Sequence, residues 1–178
     1  MSRRDELAEL ATDYALEHGL IGLSLRPLAA ALDTSDRMLN YHFGSKDALI
    51  AAVLAVSNER SLLTIRALPA SASIRQAVLD LWDAFTEPQL ARCQRMYVEA
   101  ASLGLFGREP YAASVRQSNK SWLAAIAAHL ERSGASKVRA PRLAMLVDAT
   151  FNGVMLDRPL DGATAGRRVV EDLADALS

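Results

Sequence analysis

Cysteine and aromatic side chains are scarce in this chain: one cysteine in 178 residues, and 6% Phe, Trp and Tyr. The lone Cys93 excludes a disulfide framework and a multi-cysteine zinc site within one chain, and a reducing cytosol is its natural setting. It reads as a small hydrophobe rather than a redox sensor. The three histidines, His18, His42 and His129, show no metal-ligand spacing. No stretch of about 18 uninterrupted apolar residues occurs, so no membrane span is expected. The opening Met-Ser-Arg-Arg-Asp-Glu has no apolar run behind it, so no signal peptide is expected. Signatures of catalysis are missing as well. There is no Gly-x-Ser-x-Gly elbow, phosphate loop, dinucleotide fingerprint, His-Glu-x-x-His or Glu-x-x-His pair. No enzyme, cofactor or metal is therefore expected.

Excess positive charge is also absent. The net charge is −1, and residues 1–50 carry five Lys/Arg against eight Asp/Glu. Bulk charge does not advertise nucleic-acid binding, but placement matters more. Arg26, Arg37 and Lys46 fall at the starts of the three helices that would face DNA, whereas Asp5, Glu6, Glu9, Asp13 and Glu17 gather on the first helix. A local basic stripe suffices for phosphate contact.

What is present is 51% hydrophobic residues in helical periodicity throughout, with no sustained period-2 run. Gly, Pro and Ser divide the chain into about nine helices, an all-α fold. The first runs from about Arg4 to His18, with Leu7, Leu10, Ala11 and Tyr14 on one face and Gly19 as its stop. A second begins near Arg26, and Asp33-Thr34 turns the chain. Ser35 caps a third helix and Ser45 a fourth, which runs to Pro69. Pro69 to Ser73 is the clearest linker. Pro88 opens a later helix, Gly104 to Pro110 breaks the pattern, and Ser133-Gly134 ends the next segment. From Pro141 to Leu156 the pattern is apolar on almost every side, which implies burial on both sides. A break at Pro159–Gly166 precedes a last stripe, and Arg167-Arg168 reads as a solvated face.

Residues 24–49 thus have the plan of a helix-turn-helix, whose second helix enters the major groove. Leu39 and Phe43, four apart, share one face and can pack on Leu28 and Leu32. The other face presents Asp36, Arg37, Asn40 and Tyr41. Arg37 suits guanine O6 and N7, Asn40 suits adenine or phosphate, and Tyr41 offers a hydroxyl to phosphate and ring surface to a thymine methyl. Asp36 either repels phosphate or accepts from cytosine N4. Lys46 places a cation at a helix N-terminus, where backbone N–H groups already favour an anion.

The run Tyr41-His42-Phe43-Gly44-Ser45-Lys46-Asp47, near the N-terminus, resembles the signature of the tetracycline-repressor (TetR) family. The motif resemblance covers about residues 5–55. It implies DNA contacts by Arg26 at the start of the second helix, by Ser35, Asp36, Arg37, Asn40 and Tyr41 around the recognition helix, and by Lys46 on phosphate. Two residues depart from the pattern: Asp33 replaces the usual turn glycine and Asn40 a frequent tyrosine. Asp33 tolerates a left-handed conformation.

The resemblance implies a homodimeric, ligand-responsive transcriptional regulator, read as a repressor of a near-palindromic double-stranded operator. Residues 1–45 would form the helix-turn-helix headpiece and 46–178 the effector-binding and dimerisation domain. The helices near 139–158 and 162–177 would pack on their dimer mates. An effector cavity would draw on Trp82, Phe85, Met96, Tyr97, Glu99, Tyr111, Trp122, Asp148 and Asn152, since such pockets combine apolar walls with few polar groups. The alternative reading is a dimeric small-molecule-binding or scaffolding protein with a degenerate headpiece.

Overall fold

The computed structural model describes residues 2–161 and 163–178. Among the described residues there are nine helices and no strand. They are α1 (Arg3–His18), α2 (Leu25–Ala31), α3 (Asp36–Phe43), α4 (Lys46–Ala67), α5 (Ile74–Thr86), α6 (Pro88–Leu105), α7 (Tyr111–Arg132), α8 (Ala140–Asp161) and α9 (Ala163–Ala176). The chain divides into two packing units: residues 1–61 with 88–119, and residues 62–87 with 120–178.

In the first unit, α1 starts from a capping box. Ser2 Oγ accepts the Asp5 N–H at 3.2 Å, and the Asp5 carboxylate accepts the Ser2 N–H at 3.0 Å. Those bonds hold the Asp5 carboxyl below its ordinary value. Gly19 closes the helix at φ +83°. The buried stripe of α1 is Leu7, Ala8, Ala11, Thr12 and Ala15, while Leu10 is exposed and Tyr14 half-buried. Small alanines let neighbouring helices approach. Thr12 is accommodated there because its hydroxyl bonds the Ala8 carbonyl at 2.7 Å. The apolar core joins this stripe to Leu28, Ala29, Leu32, Leu39, Phe43, Leu49, Ile50, Val53 and Leu54, and also to Met96 and Ala100 of α6. Outside it, Arg60 of α4 bonds Glu9 and Asp13 of α1.

By length and composition α4 is apolar enough to cross a membrane, with mean hydropathy 1.4, although charges interrupt its sequence. Its apolar residues are used otherwise: Leu49, Ile50, Val53 and Leu54 fill the first unit's core, and Leu62 and Ile65 are also buried.

In the second unit, Ser73 caps α5 by accepting the Gln76 N–H at 3.1 Å. Helix α9 packs on both α5 and α8. The centre is a ring cluster: Trp82 against Phe151 (centroids 5.0 Å), and Phe85 against Phe151 (5.3 Å), Trp82 (5.9 Å) and Trp122 (6.3 Å). Arg167 and Arg168 lie on a solvated face as the sequence implied, and there Arg167 also bonds Asp83 and Glu171. Helix α8 continues to Asp161, past the expected break at Pro159, and Gly162 lies outside the described residues. Among its described side chains it is buried along Ala140, Leu143, Ala144, Val147 and Phe151, whereas Met145, Leu146 and Leu156 are exposed.

Candidate nucleic-acid interface

The α2–α3 turn depends on Asp33, which adopts φ +50°, the left-handed conformation that the missing glycine would have taken. Its short polar side chain makes that conformation accessible. The Thr34 N–H then bonds back to the Ala29 carbonyl at 2.9 Å, closing the turn. Ser35 caps α3 by accepting the Met38 N–H at 3.2 Å. Leu39 and Phe43 are buried, as the four-residue spacing requires. Arg4 sits over the Phe43 ring at 5.2 Å, and Gly44 stops the helix at φ +80°. Eight residues thereby hold one fixed orientation, seated by two apolar anchors and closed at both ends.

The predicted contact residues come together on the open side of this element. Arg26, Ser35, Asp36, Arg37, Asn40 and Tyr41 are all exposed. A shallow depression between the starts of α2 and α3 is lined by Arg26, Ala29, Ala30, Thr34, Ser35, Asp36 and Arg37. Two guanidinium groups thus flank a groove with small-residue walls and one carboxylate. Ser45 caps α4 by accepting the Ala48 N–H at 3.1 Å. Lys46, exposed at the start of α4, donates from Nζ to the Leu23 carbonyl. That bond ties α4 to the loop before α2, and the ammonium's remaining donors stay available to an anion. Sequence reasoning missed this positioning bond, which joins groups 23 residues apart.

The comparisons bear on this element first. Residues 8–53 match the family model of bacterial regulatory proteins, tetR family. The headpiece belongs to the TetR family. Solved structures match almost the whole chain in fold. A transcriptional regulator from Rhodococcus sp. Rha1 is 20% identical, with a TM-score of 0.80, over 99% of this chain and 96% of its own. A TetR transcriptional regulator from Legionella pneumophila is 18% identical, with a TM-score of 0.75, over 99% and 97%. The multidrug binding protein EbrR, solved with proflavin, is 21% identical, with a TM-score of 0.73, over 99% and 100%. No curated protein sequence matches the chain. The all-α fold of the described residues is therefore the fold of these structures, and the headpiece is its helix-turn-helix.

The residues expected around an effector divide between the two units. In the second unit, Trp82, Phe85 and Trp122 meet in the ring cluster. Asp148 accepts the Trp122 indole N–H at 2.8 Å and the Asn152 amide at 3.0 Å. Burial raises the Asp148 carboxyl above its ordinary value, against the lowering effect of those two bonds.

The other four residues belong to the first unit. Met96 is a buried plug of the headpiece core. Tyr97 is half-buried on α6, and Tyr111 packs against the headpiece core. Burial raises the Tyr111 phenol above its ordinary value, with Asp47 acting in the same direction. Glu99 is committed to the backbone, because one carboxylate oxygen accepts the Leu20 N–H at 2.7 Å and the Ile21 N–H at 2.9 Å. These bonds hold the α1–α2 loop. Nothing in local periodicity signals this, because the partners lie 79 and 78 residues apart.

One further polar cluster lies in the second unit. Ser71 Oγ donates to Asp80 at 2.6 Å and lies 3.5 Å from His129 Nε2. Arg132 stands 3.4 Å from His129 Nδ1. A nucleophile–base–acid relay needs the carboxylate to orient the imidazole. Here the carboxylate takes the serine hydroxyl and a cation faces the ring, so the arrangement differs from that relay. Burial, reinforced by Arg132, holds the His129 imidazole below its ordinary value.

Proposed function

We propose that this chain is a ligand-responsive transcriptional regulator, a repressor, that binds a near-palindromic operator as a homodimer in the cytoplasm. A small-molecule effector releases it. Residues 1–45 read DNA, and residues 46–178 bind the effector and dimerise. The reading requires no catalytic step, cofactor or metal.

The observation that carries it is the exposed face of α3: Arg37, Asn40 and Tyr41 displayed on a helix that Ser35 caps and Leu39 and Phe43 seat. Arg26 and Lys46 flank that face and supply phosphate contacts. Dimerisation is supported by α8, where Met145, Leu146, Ala149, Gly153 and Leu156 are exposed at helical spacing. A two-fold dimer sets two recognition helices about 34–36 Å apart. Effector binding is supported by the fold shared with EbrR, which was solved with proflavin, and by half-buried Asp148 and Asn152 beside the Trp122 ring. An effector acts only through its preference for one dimer geometry, and a coupling of about 1–3 kcal/mol suffices.

Selection of randomised duplex DNA by the purified protein tests the reading. Enrichment of a palindrome with two half-sites, bound more weakly as salt rises, is the expected result. Absence of enrichment from ligand-stripped protein would leave the alternative, a dimeric small-molecule-binding protein with a degenerate headpiece.

A further inference from the structure

An α-helix turns about 100° per residue. In α3 the buried pair Leu39 and Phe43 fixes the inward direction. Tyr41 then points opposite to it, with Arg37 about 40° to one side and Met38 about 60° to the other. Asn40 stands about 100° away, on the flank, and Asp36 about 140° away, toward the inward side. The centre of the displayed face is therefore Arg37, Met38 and Tyr41. Exposure agrees: Tyr41 is 78% exposed and Met38, a residue type usually buried, is 42% exposed. The Met38 backbone N–H is bonded to Ser35 Oγ, so its place in the first turn is fixed.

Resting on the operator-binding reading above, we propose that Met38 is a specificity-determining residue that reads the 5-methyl group of a pyrimidine, thymine in unmodified DNA. Its thioether carries no donor and only a weak acceptor, so it neither reads base edges by hydrogen bonding nor neutralises phosphate. The one apolar feature that distinguishes base pairs in the major groove is the thymine methyl. Contact there removes exposed apolar surface from water on both partners. Against a cytosine amino group or an adenine N6, the same side chain would cover a polar group and return no bond. Discrimination thus comes from a penalty as well as a gain. Arg37, on the other side of Tyr41, takes guanine, so each half-site should hold a G·C pair and a thymine within the reach of one helical turn.

The test uses the full-length protein and the duplex enriched by selection. Each thymine is replaced in turn by deoxyuridine, which removes only the methyl group, and Kd is measured for the wild type and for Met38→Gln. At one position in each half-site, deoxyuridine should weaken the wild type roughly fourfold, the effect of one buried methyl-sized group. Met38→Gln should bind the thymine and deoxyuridine duplexes equally there. Changing that T·A pair to C·G should weaken the wild type, and 5-methylcytosine should recover roughly fourfold of the loss. Because Met38 is a surface residue, the variant's unfolding transition should match the wild type. If every deoxyuridine duplex affects both proteins alike while Arg37→Ala still alters site preference, the Met38 assignment is wrong and operator binding stands. If selection enriches no duplex, both fall together.

Discussion

Glu99→Ala removes the carboxylate that holds two consecutive backbone N–H groups of the α1–α2 loop. The two bonds are unequal. Leu20 is buried, with 1% of its surface exposed, and its N–H bond is partly buried; the Ile21 bond is exposed. Hydrogen bonds to charged groups contribute about 1.5–3 kcal/mol, least where water can substitute. The Leu20 bond should therefore supply most of a total loss of about 2–3 kcal/mol. Glu99→Gln keeps an acceptor of the same shape without the charge and should lose about half as much.

Gly19 gives an independent handle on the same contact. It sits at φ +83°, and a Cβ there would come within 3.1 Å of both Glu99 oxygens. Gly19→Ala thus adds backbone strain and crowding of the carboxylate, for about 1–3 kcal/mol. In the double variant the crowding disappears and the strain remains, so the two losses should sum to more than the double loss. The assay is urea unfolding of the full chain at fixed protein concentration, since dimerisation ties stability to concentration. If Glu99→Ala and Glu99→Gln both unfold within about 0.5 kcal/mol of wild type, the bond contributes nothing beyond what an ordinary surface substitution removes, and the argument fails.

Four further outcomes are expected. Arg37→Ala should weaken operator binding by about 1–3 kcal/mol and relax preference at one base pair; uniform loss across sequences would reduce Arg37 to a phosphate contact. Lys46→Ala should weaken all sites alike and lower the salt slope by about one, and an unchanged slope would rule out its phosphate role. Burial holds His129 below its ordinary 6.5, so below that pH the unfolded chain binds a proton that the folded chain resists. Stability should fall as pH drops through about 6.5, by up to about 1.4 kcal/mol per unit, and titration of His129→Gln should show a shallower fall. Burial raises Asp148 above 3.8, so its favourable contribution is present below that value and lost as pH rises through the folded value. Asp148→Asn, which keeps an acceptor for Trp122, should be at least as stable as wild type at pH 7; a clear loss would show that the charge itself is needed.

The helix count and the reading element were legible because their determinants are local. Ser35, Ser45 and Gly19 act within a few residues of themselves, and Asp33 takes the conformation its side chain permits. The four-residue spacing of Leu39 and Phe43 defined the face of α3 without any knowledge of the rest. Contacts between distant segments were not legible. Periodicity put Leu10 on the inner face of α1, whereas Leu10 is exposed and the core takes Ala8, Thr12 and Ala15, where close approach favours small side chains. The packing of Met96 and Glu99 against the first helices was not legible, because α6 shows an ordinary amphipathic pattern that does not name α1 as its neighbour. The pairing of Arg167 with Asp83 was not legible because the two lie 84 residues apart. Pro159 read as a stop, yet α8 runs on to Asp161.

The discontinuity of the first unit bears on how such proteins can be recombined. Met96 and Ala100 of α6 are as much part of the headpiece interior as Leu7 or Leu28. A chimaera joined after residue 45 or 61 would inherit a reading element whose interior is shaped for a foreign plug. Exchange of DNA specificity by cassette should then succeed only when the donor's α6 residues travel with its first helices. The same geometry delays folding: the headpiece is complete only after Met96 and Ala100 of α6 have returned to it, so a nascent chain halted near residue 60 would carry a recognition helix without its full support.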